Sequence, residues 1–140
     1  MERNELSESD FAWLAHDRVG QVAVFTTGGS GPVPASALPW LHESEDAVRS
    51  LGESSACELL VAIPRPDDYV CFAKRGFFAY DWADVHRTRS QSSDAYELVA
   101  LPLSPVKLVD LPISVRRIVE STPIAAIAFG ASQVPRGAIA

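Results

Sequence analysis

The chain has 140 residues, a net charge of −6, 47% hydrophobic residues and 21% charged ones. That length suits one domain with its own core, and the composition excludes intrinsic disorder, which needs low hydrophobicity together with high net charge. No apolar run nears the roughly 18 residues that span a bilayer, and a surplus of carboxylates repels phosphate backbones, which argues against nucleic-acid partners.

The first nine residues read as a polar lead-in. They are acidic and lack an apolar stretch, so the sequence predicts no signal peptide and a protein that stays in the cytoplasm. Phe11–His16 is the first strand candidate. Asp17-Arg18-Val19-Gly20 is a turn signal, with Asp opening the turn and Gly taking the left-handed position. Gln21–Thr27, rich in β-branched residues, returns as a second strand and completes a hairpin. Gly28-Gly29-Ser30-Gly31-Pro32-Val33-Pro34 is a loop, read as a flexible turn. A helical segment broken by Pro39 follows. Ser44 is a candidate N-cap, Glu45 and Asp46 favour the first turn, and Gly52 is a natural stop.

Leu59–Ile63 is predicted to be a short buried strand closed by Pro64 and Pro66. Tyr69–Ala73 and Phe77–Trp82 flank Lys74-Arg75-Gly76 and read as a second hairpin with aromatic cross-strand pairs. Asp84–Asp94 is a polar loop, and Ala95–Leu101 is a strand ended by Pro102. Leu111–Val119 is a short helix with Pro112 in its first turn and Val115, Ile118 and Val119 at helical spacing. Ile124–Phe129 is a final strand, and Ser132–Ala140 is a loose tail. Strands in hairpins with helices between them predict one α+β domain over residues 1–140. It would be a mainly antiparallel sheet with two or three short helices packed on it.

No constellation meets the requirements of an active site. The Gly28–Gly31 loop follows a strand but precedes prolines, not the helix N-terminus that holds a phosphate, and it lacks Gly-Lys-Ser/Thr. Asp81, Asp84 and His86 offer metal-ligand chemistry, but their placement at a strand exit does not make them converge. Gly29-Ser30-Gly31, with His16, His42 or His86 as base, is not a nucleophile elbow. Asp67 and Asp68 are adjacent and diverge on an extended chain. Cys57 and Cys71 have no paired spacing and read as buried thiols of a reducing compartment. No enzyme activity, cofactor or metal is therefore expected, and the sequence leaves the oligomeric state open.

The charge is unevenly placed. Residues 1–68 carry twelve acids and four bases, and residues 69–140 carry six acids and eight bases, for nets of −8 and +2. A negative face steers a basic partner. Two clusters combine aromatic residues with acids as a protein interface does: Trp40, Glu43, Glu45 and Asp46, beside His42, and Tyr80, Asp81, Trp82 and Asp84.

Three stretches, Asp10–Pro34, Ala73–Trp82 and Tyr96–Pro105, together resemble a group of small bacterial proteins. Some of that group look like immunity proteins encoded beside polymorphic or contact-dependent toxins. The resemblance covers a third to a half of the chain and carries no catalytic residues. It implies a cytoplasmic protein that binds one toxin, a basic one, and covers its active site. The residues themselves leave a second class open, a small ligand-binding or regulatory domain with Trp13, Trp40, Trp82 and the Gly28–Gly31 loop around a pocket.

Overall fold

The computed structural model describes residues 11–61, 66–82 and 94–139. Seven strands form one mixed sheet: β1 (Ala12–Asp17), β2 (Val22–Thr26), β3 (Cys57–Leu59), β4 (Phe78–Asp81), β5 (Ala95–Pro102), β6 (Pro123–Ile124) and β7 (Gln133–Pro135). Among the described residues three α-helices accompany them: α1 (Ser44–Arg49), α2 (Asp67–Lys74) and α3 (Ile113–Glu120). Short 3₁₀ turns lie at Ala35–Trp40, Leu108–Asp110 and Arg136–Ala138. This is the expected α+β class.

The strand order is β3-β5-β4-β2-β1-β6, with β7 also on β5. The pairings β1–β2, β3–β5, β4–β5 and β5–β7 are antiparallel, while β2–β4 and β1–β6 are parallel. Both faces of the sheet are covered, which is why β1 and β2 are apolar at nearly every position. Alternate residues sort cleanly in these two strands. Ala12, Leu14, Val22 and Val24 face the helices, packing with Val48, Phe72, Val115, Ile118 and Val119. Trp13, Ala15, Ala23 and Phe25 face the opposite side, packing with Leu41, Tyr80, Tyr96, Phe129, Val134 and Ile139.

An aromatic ladder crosses that second face. Trp13 is in register with Phe25, and Phe25 with Tyr80. The first pair stacks at 4.2 Å between ring centroids and the second at 5.1 Å. Tyr96 meets Phe25 edge-on at 5.1 Å and also accepts a hydrogen bond from the Trp13 indole at 3.1 Å. Aromatic pairs of this kind add about 0.5–1.5 kcal/mol each beyond the area they bury.

The hairpin at Asp17–Gly20 forms as the sequence predicts. The second expected hairpin does not. Asp67–Lys74 is helical, with Asp67 and Asp68 in its first turn and Lys74 in its last. Gly76 has φ of +93°. The Phe77 N–H donates to the Phe72 carbonyl and the Gly76 N–H to that of Ala73. That bonding pattern is a Schellman helix stop. Lys74-Arg75-Gly76 thus ends a helix, and only Phe78–Asp81 is a strand.

Two further expectations are corrected. Leu59 and Leu60 lie exposed on an edge, not in a buried strand. The tail is not loose, because β7 pairs with β5 and buries Val134, and Ile139 is buried beyond it. The predicted final strand shrinks to β6, and the chain after it turns across the sheet as a strap instead.

The Gly28–Gly31 loop is tightly built. Gly28 and Gly29 take positive φ, and the Gly31 N–H donates to the Thr27 carbonyl at 2.7 Å. A Cβ on Gly31 would lie 2.6 Å from the Tyr96 hydroxyl and 2.8 Å from Trp82 Cβ, whereas one on Gly52 would meet nothing within 4 Å. Gly31→Ala should therefore lower unfolding free energy by about 1–3 kcal/mol through overpacking. Gly52→Ala should leave it unchanged or raise it slightly, and urea titration of the two variants compares them directly.

Candidate partner-binding surface

Helix α1 begins one residue earlier than a Ser44 cap would place it. Glu43 occupies the cap position, and Ser44 is buried as the first helical residue, donating its hydroxyl to the Trp40 carbonyl at 2.8 Å. This bond ties Trp40 to α1, and the indole lies half-buried against the helix-side core. Glu43, Glu45 and Asp46 point outward and are exposed. Helix α2 lies against α1 and presents Asp67 and Asp68, also exposed, in its own first turn.

Arg49 joins the two helices. Its guanidinium contacts Glu45 at 2.9 Å and Asp68 at 2.6 Å, donates to the Cys71 sulfur at 3.3 Å, and stands over the Phe72 ring at 5.5 Å. Burial works against its charge, but the hydrogen bonds to Glu45 and Asp68 outweigh that and push its pKa up. Exposed pairs like these stabilise by roughly 0–1 kcal/mol, so the bridge mainly sets where the two acids lie. The sequence signal for it was thin: Glu45 and Arg49 stand at i,i+4, but Asp68 is nineteen residues further on.

Among the described residues, Glu43, Asp46, Glu53, Glu58 and Asp67 are exposed and take part in no ion pair. In the back half Arg136 pairs with Asp94 and Arg116 with Glu120, and the one further exposed acid in no ion pair among the described residues, Asp110, stands on a segment that also exposes Lys107 and Arg117. The exposed negative charge is thus concentrated on the segment running from α1 to the start of α2.

The second predicted cluster is not a surface. Tyr80, Asp81 and Trp82 are 0%, 1% and 6% exposed, and Asp84 and His86 lie outside the described residues. Each buried group has a structural partner. Thr26 donates its hydroxyl to Asp81 at 2.6 Å. Trp82 lies against Tyr96 and under the Arg136 guanidinium. The aromatics that looked like anchors are held by the ladder and strap.

A shallow crevice of about 40 Å³ opens between α1, α2 and the end of β2, lined by Phe11, Thr26, Glu45, Asp68, Tyr69 and Phe72. That is room for a few waters at most, far below the ~300 Å³ of a small-molecule pocket. Trp13 and Trp82 belong to one core and Trp40 to the other, so the sheet separates Trp40 from the other two tryptophans. His16 and His42 do not line the crevice, and His42 instead meets Phe11 edge-on. Cys57 and Cys71 are free and half-buried, more open than expected. Among the described residues no group of three or more His, Cys, Asp or Glu could hold a metal, and no helix is long and apolar enough to cross a membrane.

No family model, no curated protein and no solved structure matches the chain.

Tyr80 carries a pH consequence. Its hydroxyl donates to the Ala131 carbonyl at 2.7 Å and accepts from the Gly130 N–H at 3.2 Å. Burial raises its pKa above the ordinary 10.0, and the Asp17 carboxylate adds to the rise. A folded pKa above the unfolded one means the phenol stabilises the fold fully below about pH 10 and loses that contribution as pH climbs past it. Tyr80→Phe should lower stability at neutral pH by about 1–3 kcal/mol by orphaning the strap's carbonyl and N–H. It should also flatten the alkaline fall, read from urea unfolding at pH values on both sides of the phenol's ordinary pKa.

Proposed function

We propose that this chain is an immunity-type binding protein, acting in the cytoplasm by docking on a basic partner and covering the partner's working site. The observation that carries the reading is the uncompensated acidic surface of α1 and the α2 N-terminus. Glu43, Asp46 and Asp67 are free to meet cations, and Glu45 and Asp68 can be shared from Arg49. Trp40 supplies a half-buried aromatic at the margin of the same surface. The resemblance of the Asp10–Pro34, Ala73–Trp82 and Tyr96–Pro105 stretches to toxin-associated immunity proteins supports a bacterial toxin domain as that partner. Occlusion needs no catalytic residue, cofactor or metal from the binder.

Complementary charge of this kind chiefly governs encounter rate and specificity. The test uses the protein encoded next to this chain as the named partner. Binding is followed by stopped flow at rising salt, with a Glu43→Lys, Asp46→Lys, Asp67→Lys variant beside the wild type. The expected result is association that slows with salt, and a variant slower by roughly tenfold or more with most of its salt dependence gone. Failure of the neighbouring product to bind, or equal rates for variant and wild type, would overturn the proposal.

A further inference from the structure

Leu59 and Leu60, which open the apolar run that the sequence marks for burial, are left by the fold at an open edge. Leu59 is 40% exposed and Leu60 42%. Leu103, 60% exposed, donates its N–H to the Ala56 carbonyl at the other end of the strand. The main chain here is also unsatisfied on one side. The Leu103 N–H bond to Ala56 and the Leu60 N–H bond to the Val99 carbonyl set the phase of β3 on β5. Ala56, Glu58 and Leu60 turn their peptide groups toward β5, so Cys57 and Leu59 turn theirs outward.

The other edges of the sheet are blunted. β6 carries Pro123. In β7, the bonds between Ser132 and Leu98 and between Arg136 and Asp94 put Pro135 at an outward position, where it has no N–H to offer. Proline and charge are the usual guards of a free edge. β3 has no proline, its one charged residue, Glu58, turns its peptide group toward β5, and the outward position carries Leu59.

We propose that β3 is completed by β3 of a second copy of this chain, paired antiparallel about a two-fold axis at Leu59. In that register Leu59 faces Leu59, Glu58 faces Leu60, and Cys57 faces Val61. The two Leu59 residues exchange both of their outward hydrogen bonds, and no like charges meet. A register centred on Glu58 would set two carboxylates opposite each other, which is unfavourable. One centred on Cys57 would leave Leu59 against a serine. Leu59 and Leu60 thereby gain the burial that their apolar side chains favour. A seam of one short strand buries less than the roughly 1,600 Å² of a stable complex, so the dimer forms reversibly with concentration.

This inference is independent of the partner-binding reading, and its salt response has the opposite sign. Two copies of net charge −6 repel at long range, so added salt strengthens self-association while weakening capture of a basic partner. Sedimentation velocity on the full chain tests it, from low micromolar to sub-millimolar concentration. The wild type should show a monomer–dimer equilibrium. Leu59→Asp, which sets like charges face to face, and Leu59→Pro, which removes only an outward N–H, should each weaken it roughly tenfold or more with unchanged circular dichroism. In a Cys57→Ser, Cys71→Ser background, Leu59→Cys should cross-link under mild oxidation, because facing residues of a hydrogen-bonded pair lie about 5.5 Å apart. Glu58→Cys should not. A wild type that stays monomeric throughout, a dimer indifferent to both Leu59 variants, or preferential cross-linking through Glu58→Cys would each overturn the inference.

Discussion

The carboxylate of Asp17 holds two distant parts of this chain at once. It is 3% exposed and accepts four hydrogen bonds: from the main-chain N–H groups of Val19 and Gln21, from the Gln21 side chain, and from the Phe129 N–H. The first two shape the β1–β2 turn. The last draws in the strap that covers the aromatic face. Gln21 doubles the link by donating to the Phe129 carbonyl at 3.0 Å, and Tyr80 repeats it two residues on, at Ala131. A sheet with three helices on one face needs another cover for its second face. Here that cover is irregular chain, whose own peptide groups must find partners. Asp17, Gln21 and Tyr80 supply them from the sheet, and Phe129 can then enter the ladder beside Phe25 and Tyr80.

This arrangement explains what the sequence could and could not reveal. The first hairpin was legible because its turn chemistry, Asp17 through Gly20, is local. Helix α3 was legible because Val115, Ile118 and Val119 recur at helical spacing toward one buried side. Helix α2 was not. Its eight residues are too few to separate a helical period from an alternating one, and a Gly at positive φ serves a helix stop as readily as a hairpin. The strap was illegible for a different reason. Its contacts with Asp17 and Tyr80 span 112 and 51 residues, and no local pattern announces them. A bulge between Ala79 and Tyr80 also breaks the alternation of β5. Tyr96 and Leu98 face the strap, while Ala100 faces the helices.

The acids of the front half separate into two groups by the same logic. Asp17 is spent on architecture, as Asp81 is farther along the chain, and neither contributes to an outward field. Of the proposed interface residues, Tyr80, Asp81 and Trp82 were candidates only while their burial was unknown. Proximity of an aromatic to a carboxylate in sequence does not distinguish a core corner from a surface. Trp40, Glu43, Glu45 and Asp46 keep their place because α1 is short and amphipathic. Val48 and Ser44 fill the buried side, which turns the three acids to the solvent.

Arg49 shows how finely that field is set. A cation at this position could have cancelled the acids of both helices. Its reach is consumed instead by one acid from each, by the Cys71 sulfur and by the Phe72 ring. It therefore fixes the spacing of α1 and α2 without neutralising Glu43, Asp46 or Asp67. Arg75 is used the same way, donating to the carbonyls of Leu51 and Cys71 and to the Cys71 sulfur. Two of the basic groups nearest the acidic surface are thus committed inward. The negative charge left outside follows from which side chains the fold needed for its own joints, and the sheet edge at β3 is exposed on the same terms. Helix α2 covers its inner side, and nothing in the described chain remains to cover the outer one.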